Sequence, residues 1–224
     1  MMKEESKNTR KGLIFMTFSY DIYSLGIMAA VISFLGFTLE NIWLAATKGY
    51  IDNRNMYLPF LFGYGMAVTG MYIVLGTPEN IVFFGKYHPA LSQSNSIMLY
   101  FLLAMAIVSI GEIVLGYTVE KLCGFEYWNY TWIPLHITKY TSIPTSMGFA
   151  LIITAFMGLC FDPIMETVSG IPQPAAKYIC IVLIGAMSAD FAVSFHKMYS
   201  RQSLNCRWQL SFENGKPDFR RNTV

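Results

Sequence analysis

The sequence predicts an all-α polytopic membrane bundle of about five transmembrane helices. Hydrophobic residues make up 54% of the 224 positions and charged residues only 13%, about half the usual charged share of a soluble domain. The mean hydropathy is +0.42. Composition alone permits a soluble core. The decisive observation is that the apolar residues fall in runs of roughly 20, the length a hydrocarbon layer demands, with short polar segments between them.

The elements follow in order. Residues 1–11 are polar and hold Lys3, Lys7, Arg10 and Lys11. The apolar stretch after them is long and lacks a small-residue cleavage site, which predicts an uncleaved first helix. Spans are predicted near 22–46, 58–76, 97–119, 143–161 and 176–198 within one bundle domain, residues 1–200. Pro59 and Pro144 suit the first turns of the second and fourth spans. An aromatic connection with Tyr127, Trp128, Tyr130 and Trp132 has the ring content of a membrane–water boundary. Residues 201–224 read as an exposed, polar, basic C-terminal tail.

With five spans, ten of the 16 Lys and Arg residues share the side of the C-terminus and six lie opposite, which favours a cytoplasmic C-terminus. Both termini are nevertheless basic, which leaves a sixth, shorter membrane element open.

Two segments line up at one offset. Leu58-Pro59 and Ile143-Pro144 open each unit, Phe62-Gly63-Tyr64-Gly65 matches Met147-Gly148-Phe149-Ala150, and Pro78 matches Pro163. Glu40 and Glu112 stand on the helix before each unit. The reading is a duplicated two-helix hairpin, and such repeats often place a site at their interface. The small residues, with Gly185 and Ala189 in the last span, also have a packing use, since they let helices approach closely.

A charge at the centre of a bilayer costs about 2.5–3.5 kcal/mol on insertion scales. Glu40, Glu112 and Asp190 therefore need a partner or water. One reading is a polar inter-helix pocket lined by these carboxylates, with Arg54 as counter-charge. The other is that each carboxylate only caps or ties a neighbouring helix. Asp162 and Glu166, four apart, share a face just beyond the fourth span and read as interfacial.

Several classes are disfavoured. There is no phosphate-binding glycine loop with Lys-Ser/Thr, so the chain is not itself an ATPase. Neither His-Glu-x-x-His nor Gly-x-Ser-x-Gly occurs. Cys123, Cys160, Cys180 and Cys206 lack ligand spacing, His88, His136 and His196 are isolated, and no cofactor or metal is expected. No basic stripe suggests nucleic acid.

The order Glu40, Asn53-Arg54, Pro59-Phe60, Tyr64-Gly65, then Glu112, Glu120-Lys121-Leu122 and Trp128-Asn129-Tyr130 resembles a family of five-helix bacterial membrane proteins, the ABC-transporter type IV family. The likeness spans roughly residues 30–160. Asn55, Leu58 and Asn129 stand where that family has Gly, Gly and Asp, and residues 139–143 do not reproduce its Gly-Arg-Ile stretch. The resemblance implies a transport role, and it adds Asn53, Tyr64, Trp128 and Asn129 to the candidate ligand-binding residues. It implies the lipid bilayer as surroundings, and a separate ATPase subunit or another membrane protein as partner. A weaker set, Glu120, Gly124-Phe125, Tyr130, Ile143-Pro144 and Asp162-Pro163, is similar to integral-membrane carotenoid-biosynthesis proteins. That likeness would make Glu112, Glu120 and Asp162 acid/base groups. Three functions stay open: a non-ATPase transport component with a small or lipid-like ligand, an intramembrane enzyme acting on an isoprenoid-like lipid, and a structural subunit.

Overall fold

The computed structural model describes residues 20–213 and 216–221, so the basic segment 1–11 lies outside the described residues. Helix α1, Ile22–Lys48, is the axis of the bundle. Asp21 caps it by accepting hydrogen bonds from the Tyr23 and Ser24 peptides at 2.9 and 3.2 Å. Gly49, left-handed at φ 72°, closes its other end. Half of its apolar window is buried, against 11% and 17% for the long helices α3, Gln93–Cys123, and α6, Gln173–Arg201. In a bilayer the apolar outer faces of α3 and α6 suit lipid.

Helix α2, Phe62–Leu75, has only 14 residues, about 21 Å of rise against a hydrocarbon layer of roughly 30 Å. The span expected from residue 58 starts late for a local reason. Leu58 precedes Pro59, which disfavours helical geometry there, and the Tyr57 and Leu58 peptides are held by Asp190. Pro144 does open its helix, α4, Ile143–Leu159, where Ser142 and Thr145 form a reciprocal cap. Helix α5, Phe161–Ser169, continues α4 at an angle of 49°. Pro163 explains the break: it cannot donate to Leu159, and its ring excludes that carbonyl from the helical position.

Three helices are thus long and apolar enough to cross a membrane, or four if the bent α4–α5 pair is one span. The fifth apolar segment of the expected bundle is the short α2.

The core joins Leu25, Met28 and Ile32 of α1 to Val68, Met71 and Tyr72 of α2, with Tyr100 and Ala104 of α3 and Ala150 and Met157 of α4. Gly65 lets α2 lie directly on α1, because a Cβ there would strike the Ala29 carbonyl. Gly185 has open space at its Cβ position, so the close approach expected there does not occur.

The C-terminal segment is not a free tail. Strands β4, Trp208–Glu213, and β5, Lys216–Arg221, form an antiparallel hairpin, and β4 pairs with β1, Tyr50–Asp52. Ile51 stands opposite Leu210. A second two-stranded unit joins β2, His136–Thr138, to β3, Thr141–Ser142. The molecule is mostly helical with these two small sheets, rather than all-α.

Candidate functional site

The first turn beyond α1 builds a triad. The Arg54 guanidinium reaches Glu40 Oε2 with Nε at 2.7 Å and Nη2 at 2.5 Å. The Tyr64 hydroxyl donates to Glu40 Oε1 at 2.8 Å. Gly36, one helical turn before Glu40, makes room for the Tyr64 ring. Arg54 and Asn55 both adopt left-handed backbone angles, φ 45° and 65°, which turns the chain back beneath α1. Burial works against the Arg54 charge. Glu40 first, then Tyr127 and Asp52, outweigh it and hold the pKa above its ordinary value.

A similar triad stands at the end of α3. Lys139 Nζ lies 2.6 Å from Glu120 Oε2 and 2.9 Å from Glu126 Oε1. The Tyr140 hydroxyl donates to Glu120 at 2.8 Å, and Gly116, again one turn earlier, makes room for the Tyr140 ring. By this geometry the counterpart of Glu40 is Glu120, whereas the repeat expected from the sequence pairs it with Glu112.

Glu112 has a different setting. Its Oε2 accepts from Thr141 Oγ1 at 2.6 Å, and the Ser146 and Tyr130 hydroxyls lie close by. Tyr130 feels both Glu112 and Glu40, and burial together with these carboxylates pushes its pKa up. Tyr64 in turn feels Tyr130. Four expected residues, Glu40, Arg54, Tyr64 and Glu112, therefore lie within electrostatic reach of Tyr130 at the end of the bundle that carries the sheets.

The other candidates hold backbone. Asn53 donates to the Met56 and Asn205 carbonyls at 2.8 and 2.9 Å and accepts from the Arg207 peptide at 2.9 Å, tying the 53–56 turn to the C-terminal hairpin. Asp190 accepts from the Tyr57 and Leu58 peptides at 2.9 and 2.7 Å and from Ser194 at 3.0 Å. The Trp128 indole donates to the Tyr140 carbonyl at 2.7 Å. The Asn129 amide donates to Glu126 at 2.8 Å.

Thr141, Ser146 and Lys139 were missed as site residues by sequence reasoning. Ser109 and Ser146, hydroxyls inside apolar runs, were the available signal for part of this cluster.

A cleft of about 270 Å³ opens at the opposite end of the bundle, between Tyr20, Tyr72, Gly76, Glu79 and Asp162. Nineteen positions of α1 separate Asp21 from Glu40, about 28 Å of rise, so this cleft is not the expected pocket of Glu40, Glu112 and Asp190. Tyr20 donates to Asp162 at 3.0 Å, and burial followed by that carboxylate pushes its pKa up to about 12. Among the described residues no group of His, Cys, Asp and Glu could hold a metal ion.

Long apolar helices with few charges define a multi-pass integral membrane protein. The chain matches the family model described as Putative ABC-transporter type IV over residues 27–195. It belongs to that family, which makes it a transport-associated membrane protein. No curated protein and no solved structure matches it.

Proposed function

We propose that the protein is a non-ATPase component of a membrane transport system, and that a small or lipid-like ligand engages the Glu40–Arg54–Tyr64–Tyr130–Glu112 network. The observation that carries this reading is the convergence itself. Residues from α1, the 53–61 turn, α2, the 124–142 connection and α3 meet in one polar cluster. Ionisable groups in a membrane bundle are functional candidates by default. The two helix pairs, α1–α2 and α3–α4, are read as duplicated units with the network between them. Family membership supports the transport role and a separate ATPase as partner.

Asn53, Trp128, Asn129 and Asp190 take a supporting role in this reading. Each is engaged with backbone or a neighbouring side chain and shapes the connections that carry Arg54 and Tyr130.

Native mass spectrometry of the full chain, gently solubilised from its own membrane, tests the proposal. The expected result is a co-purifying nucleotide-binding subunit or a bound small molecule, with the small molecule lost on Glu40→Gln. A prenyl or polyene lipid that is chemically altered during incubation would move the reading to an enzyme. Neither partner nor ligand, with the protein still folded, would leave a structural subunit.

A further inference from the structure

The carboxylates near the connections are neutralised in different ways. Glu40 faces Arg54, and Glu120 faces Lys139. Asp190 faces two peptide N–H groups. Among the described residues no lysine or arginine forms an ion pair with Glu112, which accepts from the neutral Thr141 hydroxyl with those of Ser146 and Tyr130 close by. A half-buried carboxylate on a membrane helix without a cation is the setting in which proton transfer sites are found.

The hydroxyls behind Glu112 form a chain. Thr141 Oγ1 lies 2.9 Å from Ser146 Oγ, and Ser146 Oγ lies 2.9 Å from Ser109 Oγ. Thr141 and Ser146 are almost completely buried. Ser109 has two acceptors within reach, Ser146 Oγ and the Met105 carbonyl oxygen, each at 2.9 Å. A hydroxyl has one proton and uses only one of them at a time.

The two acceptors correspond to two directions of the chain. With Glu112 ionised, Ser109 donates to Ser146, Ser146 to Thr141 and Thr141 to the carboxylate. With Glu112 protonated, its own O–H donates to Thr141, Thr141 to Ser146, Ser146 to Ser109, and Ser109 to the Met105 carbonyl. Each link of the chain has a donor and an acceptor in both states, so neither state leaves a buried hydroxyl proton unplaced.

We infer that Glu112 is a proton-binding site within the membrane bundle, whose hydroxyl chain reverses direction as the proton arrives and leaves. The inference rests on the reading of this network as the functional site and names the proton as one of its ligands. The titratable groups that act with it are Tyr130 from the 124–142 connection and, through Tyr130, Glu40 of α1, Arg54 and Tyr64 of α2. Ser146 is the polar contribution of α4. The links are spaced as hydrogen bonds, which suits a proton. A metal cation would require these oxygens to spread and turn their lone pairs inward.

Infrared difference spectroscopy of the full chain in lipid nanodiscs, titrated from alkaline to acid buffer, reads the carboxyl stretch directly. The expected result is a protonated-carboxyl band that is absent in Glu112→Gln. Thr141→Val removes a hydrogen bond to the ionised form and raises the midpoint by about one pH unit. Ser109→Ala removes the end of the chain in both states and is expected to move the midpoint less than Thr141→Val does. Should Glu112→Gln fail to fold, the graded shifts of the other two variants carry the same test.

A wild-type spectrum without a titrating band, or one in which these variants leave the midpoint unmoved, overturns the inference. So does a band abolished by sodium at constant pH, which would make this a metal-cation site. A titrating Glu112 without any co-purifying ligand or ATPase would sink the transport proposal alone. A bound ligand beside a Glu112 that never protonates would sink only the proton site.

Discussion

The ends of α1 and α3 carry the same four parts in different surroundings. Each has a glycine, a glutamate one turn later, a tyrosine ring over the glycine with its hydroxyl on the carboxylate, and a cation. At Glu40 the cation is Arg54, reaching one carboxylate oxygen through two nitrogens, and the side chains are 19% and 27% exposed. At Glu120 the cation is Lys139, shared with Glu126, and the Lys139 and Glu120 side chains are 33% and 32% exposed. A guanidinium makes directed hydrogen bonds in a fixed plane, while an ammonium is a strongly hydrated point charge that several carboxylates can share. The Glu40 triad therefore fixes geometry between α1, α2 and the turn, and the Glu120 triad tethers a boundary connection.

The largest expected effect that tests this difference is Arg54→Ala. It strands Glu40 in a partly buried site and is predicted to cost about 3 kcal/mol of stability, read from denaturation in mixed micelles. Arg54→Lys should recover only part of it. An equal loss for Lys139→Ala would erase the distinction between the two triads.

Asp190 is a third kind of carboxylate, neutralised by peptide groups. Asp190→Ala frees the Tyr57 and Leu58 N–H groups and is expected to cost about 2 kcal/mol, with faster hydrogen exchange confined to the 53–61 turn. Protection unchanged in that turn would show that another group holds it.

The glycines give a smaller effect. Gly36→Ala places a methyl group against the Tyr64 ring and should cost about 1 kcal/mol through forced repacking. Gly116→Ala meets the Tyr140 ring in the same way. Parallel losses in thermal midpoint support one shared arrangement, whereas a loss at Gly36 only would limit it to α1.

The smallest effect lies in the pH and salt response of the Lys139 tether. Hydrogen bonds from Asn129 and Lys139 hold the Glu126 carboxyl below its ordinary pKa, so its contribution exists above the usual carboxylate range and fades as pH falls through the lowered value. Glu120 first and then Glu126 hold the Lys139 ammonium above its ordinary pKa. Its contribution is complete below the usual lysine range and fades as pH rises through the raised value. Trp128 fluorescence should therefore be flat between those limits, change outside them, and respond to salt. The Glu40 triad should resist salt.

Much of the class was legible without the structure. The long apolar runs became α1, α3 and α6, because a helix satisfies its own backbone whatever surrounds it. The family motifs were also legible, since they are contiguous letters. The C-terminal hairpin was missed although Trp208, Leu210 and Phe212 alternate with polar residues, the pattern of a half-buried strand. Gly185 was over-read, because the same small residue serves a tight crossing or an open face, and only the neighbouring helix distinguishes them.

By itself, the sequence determined that this is a membrane protein, where its long apolar segments lie, and which carboxylates are costly there. Those properties depend on local composition and on the chemistry of single residues. Tertiary structure decided that Glu40 finds Arg54 and Tyr64, that Asp190 holds a turn, and that Glu112 receives only hydroxyls. Partners such as Asp190 and Leu58 are 132 positions apart, and no local periodicity encodes a contact that exists only once the helices have packed.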